Sequence, residues 1–445
     1  MLKTSISGIR GIIGDGLDIK VIVDYTAAFA CLFPKKSKIL VARDTRITGE
    51  SILNAVVSTL MASGINVIDI GITPTPTALY MVEKLKINGG IMISASHNPI
   101  EWNALKLIGK GGHFLDEKAV NELIKLYDKK LSRFVKALET GTYEKIDNAI
   151  EEHIKRIIRF IDVEEIKKAN FKVACDYVNG TGLFATPLLL KELGVEEISI
   201  NKEHTGKFAH IAEPSSRSMK SLSDLIKKNK VNIGFTQDPD ADRLAIVLDD
   251  GSIVSEEYTL ALCAKYLWLV GKGNAAVNLS TSRMIDDLAK EKGYSVDRTK
   301  IGEINVSSHI IKNKLYFGGE GNGGIILPSV TPGRDSLLAI ALILELMAKT
   351  NKTITELIKE IPKYEIIKEK LEISKINEGK FLKEIKKIYS DAKITNIDGI
   401  KIDLKDKWVH IRSSNTEPII RIIAEAKSKK EAKELIKDAI DIITK

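Results

Sequence analysis

Cysteine is scarce in this chain: Cys31, Cys175 and Cys263 are the only three in 445 residues, far apart and without a C-x-x-C pair. That spacing argues against both a thiolate zinc site and a disulfide framework, and Cys175, inside the run Lys172-Val-Ala-Cys-Asp176, reads as a core thiol. Histidine is nearly as sparse, and His97, His113 and His410 stand outside any H-x-x-x-H spacing, so zinc chemistry has little support. Long apolar runs are missing too. The longest, such as Leu337 to Met347, fall short of the ~20 residues that span a bilayer. The start Met1-Leu-Lys-Thr-Ser has no signal-peptide core, so a cytoplasmic protein with no membrane partner is expected. Glutamine occurs once, at Gln237, and with the bias to Lys, Ile and Glu this fits the composition of a heat-adapted proteome. No segment is of low complexity.

The chain does carry charge, a net +8, but its lysines alternate with acids along helix-like stretches. Such interleaving makes a solvated face rather than a nucleic-acid footprint, and no nucleic-acid partner is expected. With 44% hydrophobic and 28% charged residues, the chain has material for about three or four globular domains. Strand-like runs alternate with helix-like ones through the first 360 or so residues: Lys38 to Ala42 then Glu50 to Ser63, Lys172 to Cys175 then Gly182 to Leu193, and Val231 to Phe235 further on. This is an α/β rhythm, with mainly parallel sheets flanked by helices. Beyond Pro362 the pattern changes. A strand from about Ile366, a helix around 379–389, strands at Ile400 to Leu404, Lys407 to Ile411 and Ile419 to Ile423, and a helix from Lys429 suggest a small α+β domain with an antiparallel sheet.

Polar loops follow several of these strands, where open α/β sheets collect ligands. The stretch Ser94-Ala-Ser-His-Asn-Pro99 sets Ser96 beside His97, with Lys106 ten residues on from Ser96. A serine hydrolase is a remote reading. Neighbours on an extended chain point to opposite faces, and there is no G-x-S-x-G elbow. Asp238-Pro-Asp-Ala-Asp-Arg243 puts three carboxylates at period two, able to aim at one point. The sixth position is Arg243 and the twelfth Asp249, which excludes the helix-loop-helix Ca²⁺ site. All-oxygen ligands on a short loop favour Mg²⁺, and an acidic hairpin turn is the alternative.

Gly319-Glu-Gly-Asn-Gly-Gly324 matches G-x-G-x-x-G formally, yet it continues into Ile325-Ile-Leu-Pro328 rather than a helix, which refuses a dinucleotide. A loop bringing Glu320 and Asn322 to sugar hydroxyls suits it better, a structural glycine turn being the alternative. Arg412-Ser-Ser-Asn-Thr-Glu-Pro-Ile-Ile-Arg421 gathers Arg412, Ser414, Asn415, Thr416 and Arg421, an inventory suited to a phosphate or to an ordinary polar turn. Ser7-Gly-Ile-Arg-Gly11 and Arg43-Asp-Thr-Arg46 add loop cations of combinatorial value. If Ser96 carried a phosphate, it would complete a metal site with the aspartates, and the metal would neutralise charge during phosphoryl transfer.

Taken together these loops resemble the α-D-phosphohexomutase superfamily. Ser94 to Pro99 is similar to its phosphoserine loop, Asp238 to Arg243 to its metal loop, Gly319 to Gly323 to its sugar loop and Arg412 to Pro418 to its phosphate loop, in the family's order. The resemblance implies three α/β domains of related topology and a small C-terminal α+β domain around a central cleft: 1–149 with the Ser96 loop, 150–248 with the aspartates, 249–364 with the sugar loop and 365–445 with the phosphate loop. It further implies a Mg²⁺-dependent mutase acting on sugar phosphates through phospho-Ser96 and a 1,6-bisphosphosugar, which also serves as activator. Mg²⁺ would sit on Asp238, Asp240, Asp242 and the phosphate of Ser96. Lys106 would exchange the proton; Arg10, His97 and Arg243 would surround the reacting phosphate. Lys300, Glu320 and Asn322 would bind the sugar, and Arg412, Ser414, Asn415, Thr416 and Arg421 the far phosphate.

The chain departs from the family pattern at Thr4-Ser-Ile6, at Ala104, and at Gly324, where a histidine is common. Asn322, where hexose enzymes carry serine, favours glucosamine phosphate over mannose and glucose phosphates, whose bifunctional mutase is the alternative. A non-catalytic sugar-phosphate-binding protein is more remote, since Ser96, Lys106 and the aspartates are all present. The expected assembly is a monomer or homodimer.

Overall fold

The computed structural model describes residues 2–215, 217–372, 388, 392–413 and 419–444. The expected helix around 379–389 lies outside these residues except for Ile388, and Ser414, Asn415 and Thr416 also lie outside them.

One four-stranded unit recurs three times. In the first copy Lys38–Arg43 is flanked by Asn66–Ile72 and Gly89–Ile93, both parallel to it, and Trp102–Ile108 then returns antiparallel beside Gly89–Ile93. In the second, Lys172–Asp176 lies between Glu196–Ile200 and Ile233–Gln237, with Leu244–Val247 antiparallel. In the third, Ala275–Asn278 lies between Val296–Thr299 and Phe317–Glu320, with Gly324–Leu327 antiparallel. The order is thus 2-1-3-4 each time. The first strands are buried on both faces, as Ile39 to Ala42, Val173 to Cys175 and Ala275 to Val277 all are, which is why they read as unbroken apolar runs.

The sheets are mixed rather than mainly parallel. The fourth strand of every unit runs antiparallel, Leu2–Ser5 and Gly8–Ile13 extend the first sheet antiparallel, and Thr331–Arg334 extends the third. The connection after strand three, residues 94–101, 238–243 and 321–323 in the three units, is too short for a crossover helix, so the chain can only fold straight back.

The helix Ser336–Thr350, capped by Asp335 accepting from the N–H groups of Leu337 and Leu338, is the long apolar run of the sequence, buried on nearly all sides. It sits in a core shared by the second and third units, which reaches from Ile154 to Ile361. No helix of the described residues is long and apolar enough to cross a membrane. The last sheet, ordered Glu365–Leu371, Ile420–Ala426, Trp408–Ser413, Ile400–Asp403 and Lys393–Thr395, is antiparallel throughout and covered by the helix Lys429–Thr444 around its own apolar cluster, as expected.

Candidate active site

The turn between strands three and four is the tip that each unit offers. In the first it carries Ser96, in the second Asp238 to Arg243, in the third Gly321 to Gly323, with Glu320 ending the strand before it. Equivalent positions of one scaffold therefore deliver different chemistry to the point where the units meet.

Ser96 is held by a cation from below. Arg46 is fully buried and uses all five of its donors: Nη1 to the carbonyls of Pro99 (2.7 Å) and Trp102 (3.0 Å), Nη2 to those of Ser96 (2.7 Å) and Asn98 (2.8 Å), and Nε to Asp44 Oδ2 (3.1 Å). Phe208, from the second unit, packs over its guanidinium. This loop arginine is a scaffold for the serine loop rather than a ligand. The backbone at Ser96 is left-handed, φ +49°, a conformation that costs a non-glycine residue about 1 kcal/mol or more. The expectation of an extended chain with His97 turned away fails here: Ser96 Oγ lies 3.3 Å from His97 Nδ1. Burial, reinforced by Arg243 and Arg10, pushes His97 well below its ordinary range, so it is a neutral imidazole at neutral pH. The shorter bond is to another unit, Ser96 Oγ donating to Asp238 Oδ2 at 2.7 Å.

The three aspartates converge, though not by alternation along a strand. The loop turns at Ala241, φ +52°, with the Ala241 N–H returning to the Asp238 carbonyl. One oxygen each of Asp238, Asp240 and Asp242 then falls within 4.8 Å of the others, all three side chains fully buried. Asp238 is tied through both oxygens, Asp240 and Asp242 through one each. Asp238 Oδ1 accepts the N–H groups of Asp242 and Arg243. Asp240 Oδ2 accepts from the Thr75 hydroxyl and from Lys106 Nζ (2.5 Å), and Asp242 Oδ2 faces Arg334 Nη2 (2.6 Å) and Lys106 (3.6 Å). Asp240 Oδ1 and Asp242 Oδ1 are left buried with no hydrogen-bond partner.

Two unsatisfied anionic oxygens beside a third carboxylate are costly unless a cation joins them, and this all-oxygen set fits a hard divalent ion. The electrostatics agree. Burial, then Asp242 and Asp240, drive Asp238 well above the usual carboxylate range; Asp242 is pulled below it because Arg334, Lys106 and Arg243 outweigh burial. For Lys106 burial works against the charge, but Asp240 and Asp242 overcome it and raise the ammonium's pKa. Arg10 reaches the same loop through the Ala95 carbonyl and Asn98 Oδ1, and burial brings it down to about 10, still a cation at neutral pH. Arg243 lies with its Nε 3.7 Å from Asp242.

In the third unit Gly319 to Gly324 forms a hairpin, not a helix start. Glu320 Oε1 accepts from Asn278 Nδ2 (2.8 Å) and the Gly302 N–H (3.0 Å), while Oε2 accepts from Arg334 (2.9 Å). Asn322 Oδ1 is buried without a partner. Lys300 is exposed, two residues before Gly302. In the last sheet Arg412 and Arg421 stand directly opposite one another on neighbouring strands. Like charges so placed repel, and at Arg412 the Asp398 carboxylate acts against that.

Sequence reasoning did not single out Thr75, Asn278, Glu303 or Arg334. None belongs to one of the motifs, and only the fold brings them there. The one available signal was Arg334-Asp335, a charged pair immediately before the most apolar helix.

The geometry accords with what the chain is similar to. Models of the phosphoglucomutase/phosphomannomutase alpha/beta/alpha domains I, II and III match residues 1–134, 151–251 and 255–364, and that of the C-terminal domain matches 373–442. A phosphoglucomutase/phosphomannomutase of Thermococcus kodakarensis is 36% identical over 98% of this chain and 97% of its own length. A phosphoglucosamine/phosphogalactosamine mutase of Sulfurisphaera tokodaii is 32% identical over 98% of both. The crystal structure of a phosphoglucomutase/phosphomannomutase family protein from Burkholderia thailandensis superposes with a TM-score of 0.83 at 24% identity, over 99% of this chain and 96% of that one, a likeness of fold. The chain therefore belongs to the phosphoglucomutase/phosphomannomutase family, a phosphohexomutase of the isomerase class.

Proposed function

We propose that the enzyme interconverts the 6-phosphate and 1-phosphate of a hexosamine, with Ser96 as the phosphoryl carrier. The observation that carries this is the Ser96 hydroxyl lying 2.7 Å from Asp238, at the rim of a buried triad with two unpartnered carboxylate oxygens. Asp238, Asp240 and Asp242 would hold Mg²⁺, whose charge neutralises that of a phosphoryl group in transit.

In the first transfer the P–Oγ bond of phospho-Ser96 breaks as a bond forms to a sugar hydroxyl, which gives up its proton; Lys106 and the Ser96 oxygen complete that proton exchange. The bisphosphosugar then turns end for end, and the second transfer restores phospho-Ser96. As an ammonium, Lys106 suits the donation of a proton to the departing oxygen. Arg10, Arg243 and neutral His97 line the reacting end, and Arg412 and Arg421 suit the far phosphate. A bisphosphosugar would load an empty Ser96 and so act as activator.

Asn322 supports the hexosamine. Its buried, unpaired oxygen is an acceptor for the N–H of an amino or amide substituent. Mannose and glucose phosphates are the second reading, favoured by the name of the Thermococcus relative. Mass spectrometry after incubation with a hexose 1,6-bisphosphate should place phosphate on Ser96, and Ser96→Ala should lose nearly all flux. Wild-type protein that neither carries nor accepts phosphate at Ser96 overturns the proposal. The sugar is decided by kcat/KM on glucosamine, mannose and glucose phosphates: a hexosamine preference unmoved by Asn322→Ser would refute the role given to Asn322.

A further inference from the structure

Arg334 lies outside all four motifs, yet its guanidinium is where two of them meet. Nη2 is 2.6 Å from Asp242 Oδ2 in the metal loop, and Nη1 donates to Glu320 Oε2 in the sugar loop at 2.9 Å. Its Nε faces Glu303 Oε2 at 3.2 Å, and its backbone N–H donates to Glu303 Oε1 at 2.9 Å. The residue is 7% exposed. Its route to these partners is kept open by a missing side chain, since a Cβ at Gly324 would lie 2.2 Å from Arg334 Cδ and 2.7 Å from Cγ. Gly324 is itself paired with Glu320 across the hairpin. The arginine thus runs through the place that a side chain at 324 would need.

We infer that Arg334 is a positioning residue that yokes the sugar loop to the metal loop, so that sugar phosphate and divalent ion bind with mutual cooperativity. By engaging Asp242 Oδ2 it fixes which oxygen of that carboxylate, Oδ1, is left for the ion. By engaging Glu320 Oε2 it fixes the carboxylate nearest the sugar loop's own backbone. A sugar that orders Glu320 therefore orders Asp242, and the coupling must be reciprocal. A planar guanidinium bridges two carboxylates along separate N–H directions, which an ammonium cannot reproduce.

The inference rests on the mutase reading for the identity of the sugar ligand, but its measurements do not depend on turnover. Mn²⁺ binding is followed by electron paramagnetic resonance with and without glucosamine 6-phosphate, in wild type, Arg334→Met and Arg334→Lys. In the wild type each ligand should tighten the other roughly fivefold or more; in both variants the coupling should fall toward unity while Mn²⁺ alone still binds. Cooperativity that is absent in the wild type, or that survives in Arg334→Met, overturns the yoke.

A melting cycle guards against a variant that simply folds poorly. Gly324→Ala should lower Tm in the parent and do so much less in an Arg334→Ala background. Equal costs in the two backgrounds would show that the positions do not share one space. Absence of phosphate transfer to wild-type Ser96, by contrast, would overturn the mutase reading and leave these two results standing.

Discussion

A guanidinium with all five donors engaged, four of them by the serine loop, leaves little freedom for substitution. Arg46→Lys keeps the charge but offers three donors at one point, so at least two of its five acceptors, the Asp44 carboxylate and the carbonyls of Ser96, Asn98, Pro99 and Trp102, lose the bond that Arg46 gives them. The expected loss is about 2–4 kcal/mol of stability, read as a fall in Tm, together with weaker phosphate incorporation at Ser96. An unchanged Tm would contradict this account.

Glu257 gives a pH prediction. Burial raises its carboxyl to about 8, despite the Ser282 N–H it accepts. A raised folded-state value means that the stabilising term is fully present below the ordinary carboxylate range. That term is lost as pH climbs through about 8. Glu257→Gln should therefore match the wild type near pH 4 and exceed it by pH 9, by on the order of a few degrees in Tm. A difference independent of pH would show that folding does not raise the Glu257 carboxyl.

Legibility in the sequence is also decided residue by residue. Asp238, Asp240 and Asp242 could be read because their cluster is local. Arg334 could not, because its carboxylate partners stand 14, 31 and 92 residues away. The left-handed turns at Ser96 and Ala241 were equally hidden, since neither serine nor alanine advertises a positive φ. The reading of His97 as turned away from Ser96 failed for that reason.

At the scale of the element, the tip of each hairpin matters more than its strands. Elements long enough to show a period emerged close to their expected bounds: the helix expected from Glu50 to Ser63 spans Gly49–Ala62, and that from Gly182 to Leu193 spans Gly182–Glu192. Sheet direction was less legible, because a short returning strand looks like any other apolar run until its turn is known.

The aspartate tip carries a metal prediction that needs no turnover. With two buried carboxylate oxygens unpartnered, Mg²⁺ should raise Tm in proportion to the logarithm of its concentration above Kd. Asp240→Asn should weaken that rise, and Thr75→Val, which removes the hydroxyl that ties Asp240 Oδ2, should reduce Mg²⁺ affinity about tenfold. A wild-type Tm indifferent to Mg²⁺ and Mn²⁺ would sink the assignment of the triad.

Across the whole molecule the units are stapled by a few buried polar contacts. His153 is fully buried and joins Thr77 of the first unit, through Nδ1 at 3.0 Å, to Thr331 (3.0 Å) and Asp335 (2.9 Å) of the third, through Nε2. His153→Phe leaves Asp335 with a lost partner and should cost about 2–4 kcal/mol. Calorimetry should then show the first unit melting ahead of the second and third, which share one core and should stay in a single transition. An unaltered endotherm would mean that the apolar contacts alone hold the units together.

The threefold repeat of one 2-1-3-4 unit has a consequence for how such a chain can change. A copied scaffold that aims the same position at the same point lets each tip specialise while the frame stays constant. For the third copy that independence ends at Arg334, which reaches into the tip of the second. Transplanting a new sugar-reading hairpin into this enzyme would therefore succeed only if the Thr331–Arg334 strand travelled with it.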